Sequence, residues 1–415
     1  MIVASAGRQG LAVTRGLGER GVPVVVAHWD ADDLAAASRY ATEVVRVPPP
    51  ELEAGAFIDS ILALGERMQG ALIMPTTDGA VKDVARRRAD LEQHFVVDCP
   101  SWDVAEKIID KRHTYELAQA LGVTIPRTLV PSGPADLETY GTEVQFPCIV
   151  KPRESHLWAA RLGGKYTVVH SMKEMRASYA AAAEADLEVM IQELIPGPDR
   201  NAVNYNAYRT PQGIIAECTA RKIRQGPPRS GLPRVVLAAE VPDIVEPGRR
   251  LLEGLGYEGF ACTEFKFDGR DGRFKLLEVN GRHNLSSLLS IRSGVNFPWI
   301  SYRYLVSDEA PVRVQARTGL YWIDEWLELA FNRSRHGRDS AGWRQILRPW
   351  ANDHVFAVFD RNDIGPFRLV AGDIARDASR VVKRRLGESG GSPLGDQVDA
   401  EQPSEDTPLR PGGAP

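Results

Sequence analysis

The chain has 415 residues, 43% of them hydrophobic and 26% charged, with a formal net charge of −4. That length supports two or three domains with true cores. The near-balanced charge excludes a broad electrostatic footprint for nucleic acid, and no apolar run is long enough to predict a membrane-spanning helix. Four cysteines, Cys99, Cys148, Cys218 and Cys262, are scattered without a CxxC spacing. They read as small core residues kept reduced in a cytoplasmic protein, not as disulfides or ligands.

Residues 1–108 alternate strand and helix. Met1 to Ser5 is an apolar strand, without the charged start and long apolar core of a signal peptide. Gly7 to Gly10 reads as a tight turn, Leu11 to Arg20 as a helix stopped by Gly21, and Val22 to Ala27, Ala71 to Met74 and Phe95 to Val97 as further strands. The alternation predicts a Rossmann-like domain with a parallel sheet and crossover helices. Asp30 lies twenty residues past Gly10, as in a dinucleotide fingerprint, but Ser5 stands where the first glycine belongs. Two readings stay open: a nicotinamide site at Gly7, Gly10 and Asp30, or a scaffold whose strand ends face another small ligand. Pro75-Thr-Thr-Asp78 follows a strand directly. It is either a helix cap or a ligand contact at the mouth of the sheet.

Ser101 to Leu121 is helical, with Gly122 as its stop, and Pro126 and Pro131 turn the chain into a second domain. Val144 to Lys151 predicts a strand whose last residue is a lysine, a side chain that either snorkels to the surface or meets a partner. Arg161-Leu-Gly-Gly-Lys165 precedes the strand Tyr166 to His170. Its glycine pair suits either a hairpin turn or a close approach to an anion. A helix over Lys173 to Glu184, a strand over Glu188 to Gln192 and a Pro/Gly connector from Glu193 to Asp199 follow, then strands Asn201 to Ala207 and Gly213 to Cys218. Arg221, Lys222 and Arg224, with Arg229 and Arg234 among glycines and prolines, read as a basic loop: solvated, or a strap over phosphates.

The stretch from Phe260 to Ser287 carries the most chemistry. Ala261 to Phe267 and Arg273 to Asn280 read as two strands joined by the turn residues Asp268-Gly-Arg-Asp-Gly272. Glu264 shares a face with Glu278 and Asn280 if it pairs with Leu276 or Glu278, and a one-residue slip sends it to the opposite face. Two carboxylates and an amide oxygen on one half-buried face suit a divalent cation with hard oxygen ligands, such as Mg²⁺. Arg282 and His283 follow at once. The alternative is a surface hairpin whose acids face water.

Taken together, PCIVKP around Lys151, GGK around Lys165, QELIPGPD from Gln192 to Asp199, and the pair TEFKFD and LLEVNGRHN resemble the ATP-grasp superfamily, specifically its carboxylate–amine ligase branch. The resemblance covers about residues 1–310. It implies an α/β and α+β architecture: a Rossmann-like pre-ATP-grasp domain (1–108), then an ATP-grasp fold of two subdomains (109–190 and 191–310). ATP would lie between the subdomains, with Lys151 and Lys165 at its phosphates and adenine edge. Gln192, Glu193, Leu194 and Ile195 would face adenine, and Asp199 the ribose. Glu264, Glu278 and Asn280 would hold Mg²⁺, two ions by the family pattern, with Mn²⁺ able to substitute. Arg282, Lys222 and His283 would serve the reacting phosphate and substrate. The implied reaction activates a carboxylate as acyl phosphate and joins it to an amine; a thiol acceptor on a carrier protein is the alternative within the class. The implied partners are small carboxylates and amines, with a homodimer as the family tendency and no nucleic acid or membrane. Glu193 departs from the pattern, which often has lysine there.

Beyond Pro311 the composition changes. Gly319 to Ala330 is a tryptophan-bearing amphipathic stretch, Phe359 to Pro366 a turn and Arg368 to Leu386 a basic closing helix. Residues 311–386 read as an extension packed on the core. Residues 387–415, rich in Gly, Ser, Pro, Asp and Glu, read as a disordered tail.

Overall fold

A computed structural model describes residues 1–5, 7–50, 55–141, 145–153, 158, 162, 166–227, 231–309, 314–333, 343–372, 374 and 376. The amino-terminal strands β1 (Ile2–Ser5), β2 (Val24–His28), β3 (Ala41–Arg46), β4 (Leu72–Pro75) and β5 (Val96–Val97) form one parallel sheet in the order β3-β2-β1-β4-β5. Continuous Val, Ile, Ala and Met runs suit strands covered on both faces, and Ile2, Val3, Val24, Val26, Ile73 and Met74 are all buried. The chain order reverses between β1 and β4, so the carboxyl ends of these two strands flank a switch-point crevice. Helix α1 spans Gly7–Gly18. The tight turn expected at Gly7 to Gly10 is therefore its first turn, with Gly7 at φ 60° making the exit that a β-carbon would strain. Strand β3 and helix α2 (Ala56–Leu62) were not anticipated, because β3 is a half-exposed edge with no unbroken apolar run. Helices α3 (Asp78–Arg86), α4 (Arg88–Leu91), α5 (Trp102–Ile109) and α6 (Lys111–Ala120) lead to the next domain.

Strands β6 (Thr128–Leu129), β7 (Cys148–Pro152), β8 (Thr167–Val169) and β9 (Val189–Glu193) make an antiparallel sheet in the order β6-β9-β7-β8. Cys148, Val150, Val189 and Ile191 face Met175 and Ala182 of the helix Met172–Glu184. The third sheet has the order β14-β13-β10-β11-β12-β15-β16, built from β10 (Ala202–Thr210), β11 (Gly213–Gly226), β12 (Leu232–Ala238), β13 (Gly259–Asp268), β14 (Arg273–Asn280), β15 (Tyr321–Ile323) and β16 (His354–Phe356). Strand β11 corrects the reading of Arg221 to Arg224 as a loop. It runs on to Gly226, paired with β10 and then β12, because the buried partners of Lys222 and Arg224 let both charges stay in a central strand.

The extension contributes β15 and β16 to this sheet. It also reaches α1: Arg15 Nε meets Asp363 Oδ2 at 2.9 Å with both side chains fully buried, and Ser38 Oγ and the Arg39 N–H donate to the same carboxylate. Residues Met1–Leu369 form one compact unit. The closing helix expected over Arg368 to Leu386 lies mostly outside the described residues, and the tail 387–415 entirely so. Among the described residues no helix is long and apolar enough to cross a membrane.

Candidate active site

Strands β13 and β14 pair Lys266 with Lys275 and Phe265 with Leu276, then shift so that Glu264 faces Glu278 and Cys262 faces Asn280. Without this bulge Glu264 would sit opposite Leu277, and Glu278 would point to the other face. One extra residue, Leu277, thus puts Glu264, Glu278 and Asn280 on one face. Of the two pairings open from sequence, the structure selects Glu278. Asn280 Nδ2 lies 3.4 Å from Glu278 Oε1. Asn204 of β10 stands directly across from Glu264, and its buried Oδ1 has no partner among the described residues. Lys222 Nζ donates to Glu264 Oε2. Burial pulls the Lys222 ammonium down, but Glu264 overrides it and the net shift is upward.

These residues form one wall of a cleft. Lys111, Lys151, Tyr166, Gln192, Glu193, Leu194 and Ile195 stand with Lys222, Glu264 and Glu278 around it, so the second and third sheets both contribute. Lys151 Nζ donates to Tyr115 Oη at 2.6 Å and lies 4.7 Å from that ring's centroid. Burial pushes its ammonium down to about 7, although Glu278 pulls upward. Gln192 Nε2 donates to Thr128 Oγ1 at 2.6 Å. The Glu193 carboxylate accepts from the Arg127 N–H at 2.9 Å, Lys275 Nζ at 3.0 Å and Arg270 Nη2 at 2.8 Å. Burial alone would raise its pKa; these donors lower it on balance, so the departure from lysine here is absorbed by local cations. Asp199 sits at the turn into β10, where its Oδ2 accepts from the Gln225 N–H at 2.8 Å. Lys165, like Arg161 and Arg229, lies outside the described residues.

Arg282 closes the site toward the parallel sheet. Its Nε and Nη2 reach Asp78 Oδ1 and Oδ2 at 2.8 and 2.9 Å, and Nη2 also reaches Asn280 Oδ1 at 3.2 Å. The α3 cap is Thr77, whose side chain accepts from the Ala80 N–H, which leaves the Asp78 carboxylate to grip the arginine. Pro75 to Asp78 stands out in the sequence, but this partnership, which spans 204 positions, does not. His283 is 2% exposed and stacked 4.2 Å from Phe260, and neither ring nitrogen has a partner among the described residues. Burial and the Arg282 charge push its imidazole down to about 3, so it stays neutral and packs against the ring.

Among the described residues no three His, Cys, Asp or Glu side chains cluster as a metal site. The donors here are two carboxylates and an amide, with an orphaned amide oxygen beside them. This all-oxygen set fits a hard divalent cation.

No family model matches the sequence. The chain is similar to D-aspartate ligase of Enterococcus faecium, 26% identical over 290 residues, covering 64% of this chain and 67% of that protein. It is also similar to a D-alanine–D-alanine ligase of Pseudomonas putida, 27% identical over 201 residues, covering 46% of this chain and 61% of that protein. The chain thus spans about two thirds or less of these relatives. Among solved structures, a biotin carboxylase–β-γ-ATP complex from Campylobacter jejuni has TM-score 0.62 at 17% identity, covering 76% of this chain and 73% of that one. An L-amino acid ligase from Bacillus licheniformis has TM-score 0.58 at 17% identity, covering 76% and 77%. The relatives and structural neighbours that this chain resembles are ATP-grasp enzymes, and its fold is like theirs.

Proposed function

We propose that this chain is an ATP-dependent ligase that activates a carboxylate as an acyl phosphate and joins it to an amine, releasing ADP and phosphate. The carrying observation is the bulge at Leu277, which aims Glu264 and Glu278 together into a cleft that Lys151 enters from the other sheet. Phosphoryl transfer needs positioned charge rather than a protein nucleophile, and this cleft offers lysines, an arginine and acids. Lys151, with Lys165 as its expected companion, would hold the phosphates. Gln192 to Ile195 would border adenine, and Asp199 the ribose. Glu264, Glu278 and Asn280 would hold Mg²⁺, in one or two ions. The bound metal would neutralise phosphate charge as the γ-phosphoryl group leaves ADP.

A substrate carboxylate oxygen would attack the γ-phosphorus as its bond to the ADP oxygen breaks. The amine nitrogen would then attack the acyl carbon, expelling phosphate and losing a proton to form the amide. Arg282, held by Asp78, would face the charge of the acyl phosphate. Lys222 would compensate Glu264 while the site is open.

The test is a screen for ADP release with Mg-ATP and D- and L-amino acids and small carboxylates, singly and in pairs, with the product weighed by mass spectrometry. An amide of two tested substrates is the expected result. A thioester product would move the assignment to a carboxylate–thiol ligase. Nucleotide binding with no ADP from any pair, or tight NADPH binding without ATP turnover, would overturn it.

A further inference from the structure

Helix α6 carries a tyrosine that the reaction scheme above does not use. Tyr115 is 4% exposed and sits between the two sheets that border the cleft. Its hydroxyl accepts from Lys151 Nζ, on β7, and donates to the carbonyl of Leu277, on β14. Leu277 is the bulged residue, without a partner across the ladder in β13. A bulge leaves its extra residue outside the regular pairing, and the Tyr115 hydroxyl donates to the carbonyl of this one. Among the described residues the same oxygen is the one hydrogen-bond acceptor that Lys151 has.

A hydroxyl has one proton to give and lone pairs to receive. Both capacities are used here, so the oxygen's position is set from both sides. The ring face beneath the ammonium adds a cation–π attraction. Lys151 keeps two further N–H groups for a ligand.

We propose that Tyr115 is a positioning residue that ties the Lys151 ammonium to the bulge presenting Glu278, so that the lysine and the acidic face hold a fixed spacing across the cleft. The inference rests on the reading of Lys151 as a phosphate ligand. A lysine has four rotatable side-chain bonds, and holding it in place beforehand removes an ordering cost from nucleotide binding. Tyr115 itself need not touch the nucleotide.

The test is a double-mutant cycle of Tyr115→Phe and Lys151→Gln, with Mg-ATP affinity measured by calorimetry and the melting midpoint recorded for each variant. Tyr115→Phe keeps the ring and its packing and removes only the oxygen. Loss of a hydrogen bond to a charged group should weaken Mg-ATP binding about tenfold in the wild-type background, and by less than about twofold when Lys151 is already Gln. Equal losses in both backgrounds, or none in either, would overturn the proposal, since a purely structural hydroxyl would lower the melting midpoint without depending on residue 151. Should Tyr115→Phe lower the melting midpoint, the cycle is measured well below that midpoint, where all four variants are folded. If Lys151→Gln alone leaves Mg-ATP affinity intact, it is the phosphate-ligand assignment of Lys151 that fails. If Lys151→Gln weakens binding and Tyr115→Phe does not, only the tether fails.

Discussion

Two buried charge clusters share strand β11 and serve different ends. Lys222 reaches Glu264 at the cleft, while Arg224 reaches Glu328 at 2.6 Å in the sealed seam with the extension, where Arg234 meets the same carboxylate at 3.1 Å. Two residues apart in a regular strand, Lys222 and Arg224 would share a face. The pairing with β12 shifts between them, from Val236 opposite Lys222 to Val235 opposite Arg224, and sends them to opposite faces. At the seam Glu328 is fully buried between two guanidiniums, one of which also meets the Gln345 and Ile346 carbonyls. At the cleft Glu264 shares one ammonium, faces a second carboxylate and has an orphaned amide beside it. Charge sealed inside the molecule holds a fold together; charge that borders a cleft is available to a ligand.

The sharpest way to break this contrast is to neutralise one acid in each cluster. Glu278→Gln should lower ADP release by about a hundredfold or more, since it removes charge from the proposed metal site. Its melting midpoint should hold or rise, because Glu278 directly opposes Glu264 in the pairing and like charges there repel. Steady-state ADP release and calorimetric melting check both halves; turnover at the wild-type rate would refute the metal assignment.

Glu328→Gln should do the reverse. It leaves Arg224 and Arg234 without their shared counter-charge, a loss of about 3 kcal/mol, read as a lower urea midpoint. Mg-ATP affinity should stay within about twofold in conditions where the variant remains folded. A fall in affinity without a loss of stability would mean that the seam is part of the site.

The smallest effect sharpens the cleft side. With its ammonium pushed down to about 7 by burial, Lys151 is largely neutral at pH 8 in the free protein. Bound phosphates favour the charged form, so Mg-ATP binding should take up about one proton at pH 8 and almost none at pH 6. Affinity should accordingly fall as pH rises above 7. Calorimetry in buffers of different ionisation enthalpy measures the uptake, and Lys151→Gln should abolish it.

Much of this is legible in the sequence. The parallel sheet followed from apolar runs alternating with helical spacing, and the hairpin from β-formers around Asp268 to Gly272. The acids could be identified, but not their register, because alternation along a strand does not reveal where a bulge falls. The basic segment at Arg221 to Arg224 reads as a loop in sequence for a related reason. Charged residues flanked by glycine and proline look solvated until their partners, 42 and 104 positions away in Glu264 and Glu328, are known. Asn204 and Tyr115 gave no local signal at all, since one looks like any strand amide and the other like any aromatic on a helix.

What the sequence determined by itself was part of the inventory: most strands of the parallel sheet, the hairpin around Asp268 to Gly272, and the closeness along the chain of two acids, an amide and an arginine. Those depend on local propensity and side-chain period, which are written in neighbouring residues. The tertiary structure alone decided that Glu264 faces Glu278, that Lys222 and Arg224 part company, and that Asp78 grips Arg282. These outcomes turn on single-residue shifts in strand pairing and on contacts between distant segments, where the packing of the whole sheet, not the identity of adjacent residues, sets which arrangement is lowest in free energy.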